Sequence, residues 1–351
     1  MNDTGIVAQS PNLVALLADA IANGPNWDAR ERARDTVLAE RARGVLLGLA
    51  CGNLLGLPVE GRWHYDIAYR YPQGVLFIDP HERDRDLDDD LAQAVELAEA
   101  FLSGDDYVRG FAGRLIEWAW VNGRGMGGTT RRVINRMRDS ADALDAARLV
   151  YEQSPIAPNG GVMRCAPVAI VRRSDPALLI SDSAATCAVT HYANTCQWSC
   201  ILINAVIALF LNGVEPDLPA IYASARADGC PDLQEIARAD GILAYALDAV
   251  AAGENPPAGT AWLLDDHGLI GHTLLAMQFG LWAATTPLGF EDALVASVSA
   301  GGDTDTNAAV AGAVLGARYD TSAIPRRWID CIPQRQRIVS LANGLLTMGR
   351  R

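Results

Sequence analysis

Apolar positions recur at three- and four-residue spacing along nearly the whole chain, and few stretches alternate with period two or concentrate β-branched residues. The pattern predicts an all-α fold, a multi-helix orthogonal bundle. It begins with a short amphipathic helix over 13–22, after Ser10-Pro11. A charged helix over 28–43 follows, whose alternating acids and arginines read as a solvated face. Within 41–61 the chain becomes apolar and glycine-punctuated, a helix that ends near Pro58, with Gly44, Gly48 and Gly52 at four-residue intervals. Such a face is thin and suits close packing. Residues 62–86 read as an aromatic, proline-containing loop. Two helices fill 87–120, joined at Ser103 to Asp106, and a helix pair broken near Thr190-His191-Tyr192 fills 181–212. Further helices are expected over 218–227, 231–251, 269–284, 290–299 and 334–348. We divide the chain into an N-terminal helical extension, 1–41, and one helical domain, 42–351; no linker or internal repeat interrupts the second.

The stretch Ser299-Ala300-Gly301-Gly302-Asp303-Thr304-Asp305-Thr306-Asn307 stands apart from this pattern. Two glycines allow a tight turn, and Asp303 or Thr304 is placed to cap the helix that follows. That helix is built from small residues (Ala308, Ala309, Gly312, Ala313, Gly316), so it is expected to be central. A capped buried helix needs one acid at its start, not two acids with hydroxyls. Asp88-Asp89-Asp90 opens a second helix, with Leu91, Val95, Ala98 and Leu102 on its apolar face. If the two starts converge, at least four carboxylates share one site. Two unit charges about 4 Å apart interact by roughly 4 kcal/mol at an effective dielectric near 20. Such acids either stay protonated or hold one or two divalent cations.

Other positions carry weaker signals. Glu60, just past the end of an apolar run, is either a surface loop acid or a ligand or general base beside the cation site. The segment Gly123-Arg124-Gly125-Met126-Gly127-Gly128-Thr129 enters a helix. It is either a flexible turn or a phosphate cradle built from backbone N–H groups. Asn159-Gly160-Gly161, with Met163 and Arg164, repeats the pattern of glycine loop into apolar helix. His191 sits at a helix break, as a core residue or a ligand contact. Zinc at His191, Cys196 and Cys200 finds no support from a second cysteine pair.

Composition narrows the function. A net charge of −13 argues against nucleic-acid and anionic membrane surfaces as partners. All 29 basic residues are arginine, so no lysine is available as a Schiff base or general base. Seven scattered cysteines read as reduced thiols of a cytoplasmic protein. The N-terminus does not read as a signal peptide, and the apolar run from Cys200 to Leu211 is too short to span a bilayer.

With these segments in place the chain resembles the ADP-ribosylglycohydrolase family over about residues 42–330. The most specific match is Gly301-Gly302-Asp303-Thr304-Asp305-Thr306-Asn307 running into Gly312, similar to the family's C-terminal metal motif. Leu46 through Gly56, then Glu60, resembles its opening motif. Asn159-Gly160-Gly161 with Met163, Arg164 and Pro167 resembles its phosphate-side loop. Thr190-His191 and Ile324-Pro325 with Trp328 match two shorter motifs. The resemblance implies an all-α enzyme with Mg²⁺ or Mn²⁺, two ions, held by Glu60, Asp88, Asp89, Asp303, Asp305 and Thr306. It implies catalysis by Glu60, Asp88, Asp89 and Asp303. Substrate contacts would come from Asn159, Gly160, Gly161, Met163, Arg164 and His191, to which the glycine-rich loop, read as a phosphate cradle, adds Gly128 and Thr129. The implied reaction is hydrolysis of an N- or O-glycosidic bond to ADP-ribose on a protein or a small molecule. The alternatives are action on a ribosylated metabolite or nucleotide, and ADP-ribose binding without turnover. Leu87 and Asn53 depart from the family's pattern. Leu87 offers no side-chain oxygen, so one ligand position is expected to be lost unless Asp90 replaces it.

Overall fold

The computed structural model describes residues 5–7, 10–24, 31–104, 106–139, 143–231, 248–249, 251–252 and 270–349. Among them are sixteen α-helices and no strand, as the spacing predicted. The helix expected over 231–251 lies outside the described residues, apart from short pieces at its end.

The centre is an antiparallel pair, Glu31–Gly56 and Thr304–Tyr319. Gly44 faces Gly316, Gly48 faces Gly312, and Gly52 faces Ala308, each against the partner's backbone carbonyl. At the end of the seam Gly56 meets the backbone of Asp305. No side chain separates the helices along this line, because a Cβ at any of these glycines would overlap the opposite main chain. Every residue from Thr304 to Ala317 is buried. The helices Thr273–Thr285, Phe290–Ser299 and Asn194–Leu211 complete the surroundings of the central helix.

Two local expectations differ from the structure. The charged and the apolar segments near residue 43 form one continuous helix, Glu31–Gly56, rather than two. Composition changes there because the helix passes from a half-exposed stretch into the core. Within 62–86, read as a loop, lies a short helix, His64–Arg70. The helix containing Cys200 to Leu211 begins earlier, at Asn194, which makes it long and apolar enough to cross a membrane. Residues Thr195 to Leu211 are nonetheless all buried within the fold, where the helix packs on its neighbours as a core element.

Candidate active site

The antiparallel seam brings the C-terminal end of Glu31–Gly56 to the N-terminal end of Thr304–Tyr319. Thr304 Oγ1 donates to the Gly56 carbonyl at 2.9 Å, tying the two ends together. Gly301 and Gly302 take φ of +82° and +76°, the left-handed region that favours glycine. Their turn lies against residues 61–64: Gly61 N–H donates to the Gly302 carbonyl at 2.8 Å, and Gly302 N–H to the Arg62 carbonyl at 2.9 Å. Glu60 is thereby set beside Asp303 and Asp305. One carboxylate oxygen from each of the three lies within 4.8 Å of the others.

A second triad forms at the start of the helix Asp89–Ser103. Asp88, Asp89 and Asp90 likewise bring one oxygen each within 4.8 Å of one another. Leu87 is turned into the core, its carbonyl accepting from Asn122 Nδ2 at 2.8 Å. Asp90, the next acid along, is fully buried in the same cluster.

Neither helix start uses its acid as a cap. Asp303 and Asp88 occupy the N-cap positions of their helices, yet neither side chain makes a capping hydrogen bond. The capping role expected for Asp303 or Thr304 is absent: Asp303 Oδ2 accepts from Asn159 Nδ2 at 2.8 Å instead. Asp90 Oδ1 and Asp305 Oδ1 are buried and have no hydrogen-bond partner. A buried acceptor left unpaired costs about 1–3 kcal/mol, so two such oxygens facing a common cluster need compensation from a bound cation or a proton.

Electrostatics point the same way. Burial, followed by the charges of Asp88, Asp303 and Glu60, pushes the Asp89 carboxyl up to about 7. Burial and then Asp90, Asp303 and Glu60 hold Asp305 well above the usual carboxylate range. Asp90 is raised likewise by burial, then by Asp89, Asp88 and Asp303, with the Thr306 hydroxyl opposing. Glu60, the exposed member, is raised by burial of its inner part and by Asp303 and Asp88. A carboxyl whose folded pKa lies above its unfolded value of about 3.9 is more protonated in the folded state. Its contribution to stability is present at low pH and is lost as pH rises from about 4 through the folded value near 7. Metal-free protein is therefore expected to melt at lower temperature at pH 8 than at pH 5, with a smaller drop for Asp89→Asn. Differential scanning calorimetry in chelator checks this, and equal drops for the two proteins would count against the strained cluster.

The remaining sequence candidates fall in two places. Asn159, through Asp303, is part of the acidic site. Gly160 faces His191, where a Cβ would lie 2.6 Å from Cε1 and 2.7 Å from Nε2. Thr129 and His191 line one small cavity with Tyr151, Pro158 and Tyr192. Gly128 is exposed at the start of its helix, and the preceding Gly127 N–H reaches Asp89. Gly161 and Met163 are buried behind the loop. Arg164 is 1% exposed, and its hydrogen bonds all run inward: to Gln93 Oε1 at 2.5 Å, Thr190 Oγ1 at 2.6 Å and the Thr186 carbonyl at 3.5 Å. Its guanidinium lies over the Phe111 ring, so it braces the site from behind. Thr190 Oγ1 passes that contact on to His191 Nδ1 at 2.8 Å. Burial and the nearby Arg164 charge hold His191 well below its usual range, as a neutral imidazole. Sequence reasoning missed Arg124, whose Nε lies 3.3 Å from Asp88 Oδ1, and the part played by Asn53. The Asn53 amide donates to both Asp88 Oδ2 (3.4 Å) and Asp90 Oδ2 (3.2 Å).

Comparison with known proteins places the chain among its relatives. The family model described as ADP-ribosylglycohydrolase matches residues 34–351. The ADP-ribosylarginine hydrolase Tri1 of Serratia proteamaculans is 26% identical over 319 residues, covering 88% of this chain and 80% of that protein. The ADP-ribosyl-[dinitrogen reductase] glycohydrolase of Rhodospirillum rubrum is 26% identical over 301 residues, covering 83% and 90%. A solved structure described as an ADP-ribosylglycohydrolase-related protein complex superposes with a TM-score of 0.64 at 26% identity, over 90% of this chain and 99% of that one. With the family model spanning nearly the whole chain, the protein belongs to the ADP-ribosylglycohydrolase family.

Proposed function

We propose that this chain is a divalent-cation-dependent hydrolase that cleaves the glycosidic bond between ADP-ribose and an acceptor. The observation that carries the reading is the pair of carboxylate triads at two helix starts. Neither N-cap acid caps its helix, and Asp90 and Asp305 each present a buried, unpartnered oxygen. An all-oxygen donor set of this kind suits Mg²⁺ or Mn²⁺ and not zinc. Glu60, Asp303, Asp305 and Thr306 would hold one ion; Asp88 and Asp89, with Asp90, would hold the other. Bound there, the ions would neutralise the clustered charge and act as Lewis acids toward ribose hydroxyls and water.

The chain's own groups supply the rest. Glu60, the exposed acid of its triad, accepts the proton of the attacking water at its carboxylate. The flanking carboxylates favour the positive charge that develops on the ribose as its C1″ bond breaks. Asn159 keeps Asp303 in place through its amide. The backbone N–H groups of Gly160 and Gly128, with the Thr129 hydroxyl, would serve the pyrophosphate side, with Gly161 supporting the loop from within. Neutral His191 offers a hydrogen bond to a ribose hydroxyl. With no lysine in the chain, a covalent imine has no nucleophile here.

The test is calorimetric titration of ADP-ribose into metal-free and Mn²⁺-loaded protein, followed by turnover of ADP-ribosylated arginine and serine peptides and of small ribosides. Metal-dependent binding with release of ADP-ribose is expected, and the substrate that turns over identifies the linkage. Metal-dependent binding without turnover of any substrate would make the chain a binder. No ADP-ribose binding in either state would defeat the reading.

A further inference from the structure

The two triads are unlike in the company they keep. Arg124 Nε lies 3.3 Å from Asp88 Oδ1; its Nη1 lies 3.0 Å from Glu82 Oε2 and donates to the Asp86 carbonyl at 2.8 Å. Glu82 is itself buried and also pairs with Arg85 at 2.5 Å. The glycines on either side of Arg124 have left-handed backbones, with φ of +58° at Gly123 and +75° at Gly125. A Cβ on Gly125 would lie 2.6 Å from Asp89 Oδ1 and 2.9 Å from Asp88 Oδ1. The loop backbone is thus pressed onto the same carboxylate that its arginine contacts. Asn53 adds an amide that donates to both Asp88 and Asp90. The Glu60–Asp303–Asp305 triad, by contrast, receives the Asn159 amide at Asp303, and among the described residues none of its acids pairs with an arginine.

We infer that Arg124 is a built-in counter-ion of the Asp88–Asp89–Asp90 triad, so that the two cation positions fill in a fixed order: Glu60–Asp303–Asp305 first, Asp88–Asp89–Asp90 second. This rests on the divalent-cation reading above. The physical reason is competition for one carboxylate. A cation arriving at Asp88 shares it with a guanidinium fixed by Glu82 and by the Asp86 carbonyl. Repulsion between a double and a single positive charge about 5 Å apart weakens binding by about tenfold even at a water-like dielectric. Among the described residues nothing of the kind opposes the first ion.

Titration of Mn²⁺ into metal-stripped protein, followed by calorimetry, tests the order. The wild type is expected to bind two ions in two steps, the second at least about tenfold weaker. Arg124→Gln is expected to tighten the second step by about tenfold and to leave the first unchanged. Arg124→Lys, which keeps the charge, is expected to preserve most of the gap. A misfolded variant does not gain affinity, so the predicted direction separates lost repulsion from lost structure. Two equal steps in the wild type, or an Arg124→Gln protein whose second step is unchanged or weaker, would overturn the inference and leave the cation reading standing. A wild type that binds no Mn²⁺ would overturn the cation reading and the filling order together.

Discussion

Asp305→Ala is expected to lower turnover of an ADP-ribosylated substrate about a thousandfold while raising the melting temperature of the metal-free protein at pH 8. The first effect follows from removing one of three acids at the position we assign to the less opposed ion. Lewis-acid stabilisation is worth several kcal/mol, and each 1.36 kcal/mol is tenfold in rate. The second effect has the opposite sign because Asp305 is buried, its Oδ1 has no partner, and burial together with Asp90, Asp303 and Glu60 opposes its ionised form. At pH 8 the unfolded chain carries this carboxylate comfortably and the folded one does not, so the wild-type acid lowers stability there. Alanine relieves that strain at the expense of the site. Mn²⁺ should stabilise the wild type strongly and the variant weakly. Thermal melts with and without Mn²⁺, together with a turnover assay, check both halves. An active Asp305→Ala protein that still takes up its full complement of cation would sink the assignment.

Gly52→Ala is expected to destabilise the protein by about 3 kcal/mol or more, against the usual sign for that substitution. In an exposed helix interior, replacing glycine by alanine gains about 1 kcal/mol, because alanine loses less backbone entropy on folding. At Gly52 a Cβ overlaps the Ala308 carbonyl and lies 2.7 Å from Ala309 N. The obstruction is main chain in a buried helix, which cannot rotate away, so the two helices must separate along their whole seam. Gly113 supplies the control within the same molecule. It is exposed in the helix Tyr107–Val121 with nothing within 4 Å of its Cβ direction, and Gly113→Ala should stabilise modestly. Denaturant melts of the two variants, read side by side, check the contrast. A Gly52→Ala protein as stable as wild type would mean the helices do not meet backbone to backbone.

The two thin faces were legible in the sequence, and their pairing in one seam was not. Glycine every fourth residue from Gly44 to Gly52 requires a neighbour of matching thinness, and Ala308, Gly312 and Gly316 offer one. The two acidic helix starts were legible for a related reason: several acids in a small-residue context exceed what capping needs. Other features depend on partners distant in sequence. Arg124 and Asp88 are 36 positions apart on different elements, and no periodicity links them. Arg164 stands in a segment with a binding-loop pattern, yet Gln93 and Thr190, from two other elements, take up its donors. The helix Glu31–Gly56 looked like two because its composition changes sharply along its length. That change records what surrounds the helix and not a break in its backbone. That Asp90 and not residue 87 joins Asp88 and Asp89 depends on the rotation of a helix start, which motif spacing alone does not fix.

The glycine seam also sets the mechanics of the site. A joint made of main chain against main chain has no rotamers to exchange and no soft side chains to compress, so Glu60, Asp303 and Asp305 ride at the end of a stiff beam. Asp88, Asp89 and Asp90 belong to a separate helix, overlain by a loop whose glycines at 123 and 125 hold left-handed backbones. The gap between the two sets of acids is therefore set on one side by main chain against main chain, and on the other by how the side chains of the helix Asp89–Ser103 pack on its neighbours.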